Sequence, residues 1–262
     1  MLDSSTDGHV HTALCRHAVG EMEQYVQAAL DRGLHRIFFL EHFEAGIIND
    51  YQCWLGPDDF VYYRREGERL RRRYADMIEI GLGVEVGYNP RELPAIREFL
   101  ATHRWDRVGL SCHFLAIGSR HYNLLSNDPR TLAVFSEYGV ARTLEQYFAL
   151  LAEAVTQLPG TQLCHLDAAL RHHPEVAAPL AELSAGPVCE QIFQAMAVRG
   201  MALEINTSGY SHRRRLAYPT PDLLARAARF QLPLTAGSDA HRPEEVGRFF
   251  ERLPQPLLDG DD

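Results

Sequence analysis

Arg36-Ile37-Phe38-Phe39-Leu40-Glu41-His42 sets four apolar side chains in unbroken succession and then stops on an acid and an imidazole. A run this short, β-branched and aromatic, reads as a strand buried on both faces. Upstream, Glu21–Arg32 carries Met22, Tyr25, Val26, Ala29 and Leu30 at helical spacing, and Gly33 stops it. Before that helix lies Asp7-Gly8-His9-Val10-His11-Thr12. Alternating side chains of an extended segment face the same way, so His9 and His11 stand side by side, as two imidazoles on one metal ion do.

Downstream the pattern repeats. After an irregular, aromatic stretch from Phe43 to Pro57, with Tyr51 and Trp54, a long charged helix is expected from about Asp58 to Met77. Ile78-Glu79-Ile80-Gly81-Leu82-Gly83-Val84 is the third strand and ends at Glu85. Leu93, Ile96, Phe99 and Leu100 mark a helix, and Arg107–Ser111 is a fourth strand ending at His113. A second irregular excursion, Leu115 to Gly139, contains the loop Ser126–Pro129, and Leu144, Tyr147, Phe148, Leu151 and Val155 stripe the helix behind it. Thr161–Cys164 ends at His165, and a helix follows around Cys189–Arg199. Met201–Ile205 ends at Asn206, Pro221 opens another helix, and Leu232–Thr235 runs into Gly237-Ser238-Asp239-Ala240-His241. Glu244–Phe250 reads as a closing helix.

Alternating strands and helices imply a parallel sheet with helical crossovers. Seven such units suit a closed or nearly closed barrel. A doubly wound open sheet has the same periodicity, but no glycine-rich fingerprint follows the first strand. With no repeat, linker or low-complexity segment, residues 1–262 read as one domain with an acidic tail from about 255.

Composition narrows the function. A net charge of −9 excludes a protein dominated by a basic nucleic-acid face. Every basic residue is Arg, so neither Schiff-base chemistry nor a phosphate-cradling lysine is available. Five cysteines without C-x-x-C spacing fit a reducing compartment, and Cys112 and Cys164 are expected to be small buried residues pointing away from the histidines that follow them. With no signal segment or long apolar run, the expectation is a cytoplasmic protein without membrane contact.

The strand ends carry the chemistry. His9, His11, His42, Glu85, His113, His165, Asp239 and His241 close successive strands, and His17 lies in the loop after the first. In a parallel barrel all strand C-termini open on one face, so these residues converge. His35, His103, His121, His172, His173 and His212 fall elsewhere and read as mostly solvated. Seven imidazoles and two carboxylates exceed one tetrahedral ion. They suit two or three divalent ions, with Glu85 bridging a pair. Such ions activate a hydroxide and bind phosphate oxygens, and no Ser or Cys nucleophile with a base partner competes.

These motifs together resemble the PHP (polymerase and histidinol phosphatase) family of metal-dependent phosphoesterases, more narrowly its histidinol-phosphatases. The match runs through His9/His11, His17, Leu40-Glu41-His42, Gly83-Val84-Glu85, Ser111-Cys112-His113-Phe114, His165-Leu166-Asp167 and Gly237–His241. Glu204-Ile205-Asn206-Thr207-Ser208-Gly209, the Arg-rich turn, Tyr218-Pro219 and the extended segment after His42 carry the narrower likeness. The resemblance implies a distorted (β/α)7 TIM-like barrel with its metal site at the C-terminal ends of the strands. It implies three ions: one on His9, His11, Glu85 and Asp239, one on His17, His42 and His241, one on Glu85, His113 and His165. Zn, Mn and Fe all suit such donors. Glu41 stands where many members have Asp and is expected to orient an imidazole.

The implied reaction is hydrolysis of a small phosphate monoester, L-histidinol phosphate, in histidine biosynthesis. Glu85, Asp239 and His241 are the candidate catalytic residues, with Asp239, His241 or an ion-held water as the acid for the leaving alkoxide. Arg213, Arg214 and Arg171 are candidates for the phosphate, Glu44 for the amine, and the aromatic segment around Tyr51 and Trp54 for a wall over the imidazole. The competing readings are a phosphoesterase for nucleotides or oligonucleotide ends, a phosphotyrosine phosphatase of the same superfamily, and a metal-binding module without activity. Oligomeric state is open.

Overall fold

In the computed structural model, which describes residues 2–253, the Arg36 run becomes strand β2 (Arg36–Glu44). It pairs in parallel along its whole length with β3 (Glu79–Gly87), setting His42 beside Glu85 and Glu44 beside Gly87. The pleat divides both strands by parity. Phe38, Leu40, His42 and Glu44 share one face with Gly81, Gly83, Glu85 and Gly87, where glycines leave room for their large neighbours: a Cβ on Gly81 would strike the Phe38 ring, and one on Gly87 the Glu44 carboxylate. Ile37, Phe39 and Phe43 point to the helices outside; Phe43 stacks on Phe99, ring centroids 3.6 Å apart.

Seven parallel strands follow the order β1 (Thr6–Val10), β2, β3, β4 (Val108–Ser111), β7 (Gln162–Leu163), β8 (Ala202–Asn206) and β9 (Leu234–Gly237). The chain beyond β9 closes the ring: Asp239 N donates to His9 O at 2.9 Å and His11 N to Ala240 O at 3.0 Å. The expected α/β barrel is therefore present, nearly closed. Asp7 pairs with Ile37 but Val10 with Phe39, so β1 carries one residue more than β2 between these points. Such a bulge re-aims side chains at a site, and it lies where His9 and His11 turn inward. Arg107 fills the opposite end of the barrel: Nη1 donates to Gln162 Oε1 and Thr235 Oγ1, both at 2.8 Å, and the guanidinium lies over Phe38.

The outer helices are α1 (Met22–Asp31), α2 (Pro57–Arg73), α3 (Leu93–Thr102), α4 (Pro129–Tyr138), α5 (Val140–Gln157), α6 (Ala177–Ala185), α7 (Pro187–Arg199) and α8 (Pro221–Ala228). In α2, Asp58 and Asp59 occupy the first turn and Arg71–Arg73 the last, which complements the helix dipole. That helix stops at Arg73, short of the expected Met77. The apolar stripe of α5, Leu144, Tyr147, Phe148, Leu151 and Val155, is fully buried as its spacing requires.

Three expectations need correction. The excursion Leu115–Gly139 is mostly ordered: an antiparallel hairpin, β5 (Phe114–Ile117) with β6 (Arg120–Asn123), precedes α4, whose N-cap Asp128 accepts from Thr131 N. Its strands are too short for a periodic signal. Helix α6 was not foreseen. The expected closing helix 244–250 is instead two 3₁₀ turns, Pro243–Glu245 and Phe250–Arg252, because Gly247 and Phe249 take φ of 62° and 60° between them. The expected tail from about 255 lies outside the described residues. Among the described residues, no helix is long and apolar enough to cross a membrane.

Candidate active site

Glu85, on the inward face of β3, is the hub of the barrel mouth. Its Oε2 lies 3.4 Å from His9 Nε2, 3.6 Å from His11 Nε2 and 3.0 Å from His42 Nδ1. Its Oε1 lies 3.2 Å from His113 Nε2 and 2.7 Å from His165 Nε2. One carboxylate thus meets five imidazoles, three through one oxygen and two through the other. Asp239 adds a second carboxylate 3.3 Å from His11 Nε2, and His241 lies beside it with Nε2 2.8 Å from His17 Nε2. All nine residues expected at the strand ends and in the first loop come together. His165 and Asp239 take φ of 27° and 50°, left-handed conformations that turn the chain as it leaves β7 and β9. Non-glycine residues in this region concentrate at functional sites.

The donor set suits divalent cations. Ring nitrogens face one another in pairs, His9 Nε2 to His11 Nε2 at 2.9 Å and His113 Nε2 to His165 Nε2 at 3.4 Å, an arrangement that needs a proton or a cation between the lone pairs. Burial resists charge on the rings of His9, His11, His17, His42, His113 and His241, and the carboxylates oppose it unevenly. At His113 Glu85 and Glu44 prevail and hold the pKa up to about 10. At His17 burial, with His42 and His241 nearby, drives it down to about 3, and His241 falls to about 4. Burial would raise Glu85 and Asp239, yet the surrounding imidazoles keep both well below the usual carboxylate range. Ionised carboxylates beside imidazole nitrogens are what a divalent cation requires, and a cation there would displace the proton that His113 holds. The donor atoms group as His9/His11/Asp239, His11/His42/Glu85 and Glu85/His113/His165, with Cys15 joining His17, His42 and His241. Cys15 had not been assigned to the site. Cys164 is buried as expected, but it shares the barrel interior with His9 and Glu85.

Above the cluster opens a cavity of about 300 Å³. His42, His113 and Asp239 line it, and Arg171, His212 and Arg248 line it too. Arg171 Nε and Nη1 are buried and have no hydrogen-bond partner among the described residues. Of the three arginines expected at the phosphate, only Arg171 lines this cavity: Arg213 is exposed, and Arg214 lies 4.0 Å from Asp167 Oδ2. Arg248, missed in the sequence, has its guanidinium held by Ser238 O, Asp239 O and Glu245. A larger cavity of about 880 Å³ lies at the other end of the strands, around Met77 and Trp105, and none of the imidazole cluster lines it.

Several side chains differ from expectation. Glu44 is buried and engages His113 Nδ1 at 2.8 Å, because the strand continues past His42 and keeps Glu44 on the inward face. Glu41, one residue out of phase, points away from the imidazoles; its Oε1 accepts from Thr12 N and Oγ1 at 2.9 and 2.6 Å, and burial pushes its pKa up to about 8. His121 and His173 are buried rather than solvated, tied to Ile48 N and Ser136 Oγ. Tyr51 is exposed and Trp54 packs edge-on against Phe114, and neither lines the cavity; Cys53 between them does. Glu204, quoted in the sequence only as part of a motif, contacts His9; its parity with strand-end Asn206 was the available signal.

A nearly closed parallel barrel with a histidine–carboxylate cluster at its C-terminal mouth defines a metal-dependent hydrolase. The model of the PHP domain matches residues 7–208, that of the PHP-associated segment matches residues 224–262, and the chain belongs to the PHP family. A protein of Deinococcus radiodurans named probable histidinol-phosphatase is 30% identical across 97% of this chain and 92% of its own. The histidinol-phosphatase of Bacillus subtilis is 27% identical across 94% of this chain and 96% of its own. Among solved structures, histidinol phosphate phosphatase from Lactococcus lactis, complexed with Zn, L-histidinol and phosphate, superposes with a TM-score of 0.79 at 22% identity. That superposition covers 96% of this chain and 92% of the other.

Proposed function

We propose that this protein is a histidinol-phosphatase, a phosphoric monoester hydrolase that releases phosphate from L-histidinol phosphate in histidine biosynthesis. The observation that carries the reading is the pairing of a five-imidazole carboxylate hub with an arginine whose buried donors face no protein acceptor, across one cavity. His9, His11, Glu85 and Asp239 would hold one ion, His17, His42 and His241 a second, and Glu85, His113 and His165 a third. Zn, Mn or Fe suits these donors. When bound, such ions activate water and neutralise phosphate charge.

The protein's own groups do the rest. Arg171 supplies charge-assisted hydrogen bonds to a phosphate oxygen, and these strengthen as charge moves in the transition state. Asp239 and His241, which line the cavity, can relay a proton to the leaving alkoxide. Glu44 orients His113 and lends negative charge toward the substrate's ammonium. The likeness in name and coverage of the curated relatives supports this substrate over nucleotides or phosphotyrosine. We place the enzyme in the cytoplasm, as one domain; its five cysteines are all free.

The deciding experiment measures phosphate release by metal-reconstituted protein, with metal content determined on the same sample. Histidinol phosphate is compared with nucleoside monophosphates, an oligonucleotide 5′-phosphate and a phosphotyrosine peptide. Selectivity for histidinol phosphate is expected, and preferential turnover of either alternative overturns the assignment.

A further inference from the structure

Glu204 lies on β8 with no surface exposed to solvent, and neither of its oxygens is spare. Oε1 is 2.7 Å from His9 Nδ1. Oε2 accepts from His165 N at 2.8 Å and from Asn206 Nδ2 at 3.1 Å. The space for this carboxylate is reserved by Gly237 on neighbouring β9, where a Cβ would collide with Oε1.

A carboxylate offers only acceptors here, so the His9 proton resides on Nδ1 and the lone pair on Nε2, the nitrogen that faces His11 and Glu85. The other oxygen holds the backbone of His165 at its left-handed turn and so fixes where that imidazole leaves β7. His9 and His165 come from β1 and β7 and belong to different donor groups. We propose that Glu204 is a positioning residue that sets the His9 tautomer and anchors His165, so that one buried side chain keeps two metal positions in register. This rests on the metal-site reading above. A simple staple between β1, β7 and β8 would make the same contacts but would act on folding alone.

Glu204→Gln separates the two. The amide keeps the length and can still accept from His165 N, but the group left toward His9 is an NH₂, which cannot accept the Nδ1 proton. His9 must then turn or carry its proton on Nε2, where it cannot ligate. Zinc titrations of wild-type and variant protein, against a chromophoric chelator, are read beside the thermal midpoint of each metal-free protein. Wild type is expected to bind more than one zinc. Glu204→Gln should weaken at least one of these by roughly 10- to 100-fold with little change in the metal-free midpoint. Glu204→Asp, which keeps the acceptor but is one methylene shorter, should fall between. Long-range ¹H–¹⁵N spectra of the metal-free proteins should move the His9 proton from Nδ1 in wild type to Nε2 in Glu204→Gln.

Unchanged zinc affinity in Glu204→Gln overturns the proposal. So does a loss of affinity that merely follows a lowered metal-free midpoint with the His9 tautomer unaltered. Failure of wild type to bind zinc is a different result: it overturns the metal-site reading itself, and the inference falls with it.

Discussion

Glu85 shows how much of the site hangs on single side chains. Its two oxygens divide five imidazoles between them, so each neighbouring histidine is held by charge as well as by its strand. His113→Ala or Asp239→Ala removes a donor and leaves the barrel's apolar packing untouched. Each variant should retain the wild-type far-ultraviolet circular dichroism while phosphatase activity is abolished; wild-type turnover by either folded variant would refute the multi-metal assignment. Arg171 is a different case, because it lines the cavity with unpartnered donors and is not one of the clustered metal-competent side chains. A lost charge-assisted hydrogen bond is worth about 1.5–3 kcal/mol. Arg171→Ala should therefore lower kcat/KM by roughly 10- to 100-fold at unchanged metal content, while Arg213→Ala, on the exposed turn, should match wild type.

At the scale of elements, strand parity carries the chemistry. The inward row of β2 delivers His42 and Glu44, the inward row of β3 delivers Glu85, and glycines opposite them provide the room. Gly87→Ala places a methyl in the space of the Glu44 carboxylate, which is bound to His113 and cannot swing freely. That variant should keep its fold but lose activity by displacing His113, detected as weakened metal binding; unaltered affinity would show that Glu44 has space to yield. The strands, the α5 stripe and the strand-end ligands were legible in the sequence because apolar periodicity is local. The hairpin β5–β6 and α6 were not, since their short segments gain most of their stability from packing against the barrel. The closing helix misled because its apolar spacing is helical, whereas Gly247 and Phe249 adopt left-handed backbone.

The whole molecule gathers its histidine–carboxylate cluster at one end of the barrel. Buried imidazoles and carboxylates are costly to fold without compensation, and bound cations supply it. Metal at about 100 times its Kd adds about 2.7 kcal/mol, which in a chain of this size amounts to roughly 5–10 °C of Tm. Dialysis against a chelator should abolish activity and lower Tm by at least this much, both recovered on adding Zn²⁺ or Mn²⁺. Activity that survives verified metal removal would contradict the mechanism.

The sequence by itself determined the alternating β/α order, the strand-end histidines and carboxylates and hence the family, because each of these is written in neighbouring residues. Only the tertiary structure decided the rest. It brought Arg171, not Arg213 or Arg214, to the cavity wall together with Arg248, turned Glu41 away and Glu44 in, and set Glu204 against both His9 and His165. The reason is physical: a side chain's direction follows from strand register, bulges and turn conformation, and its partners come from segments up to 240 positions distant. The Arg36–His42 run names its strand and its ligand; which way each of its side chains points was settled by pairing with β3.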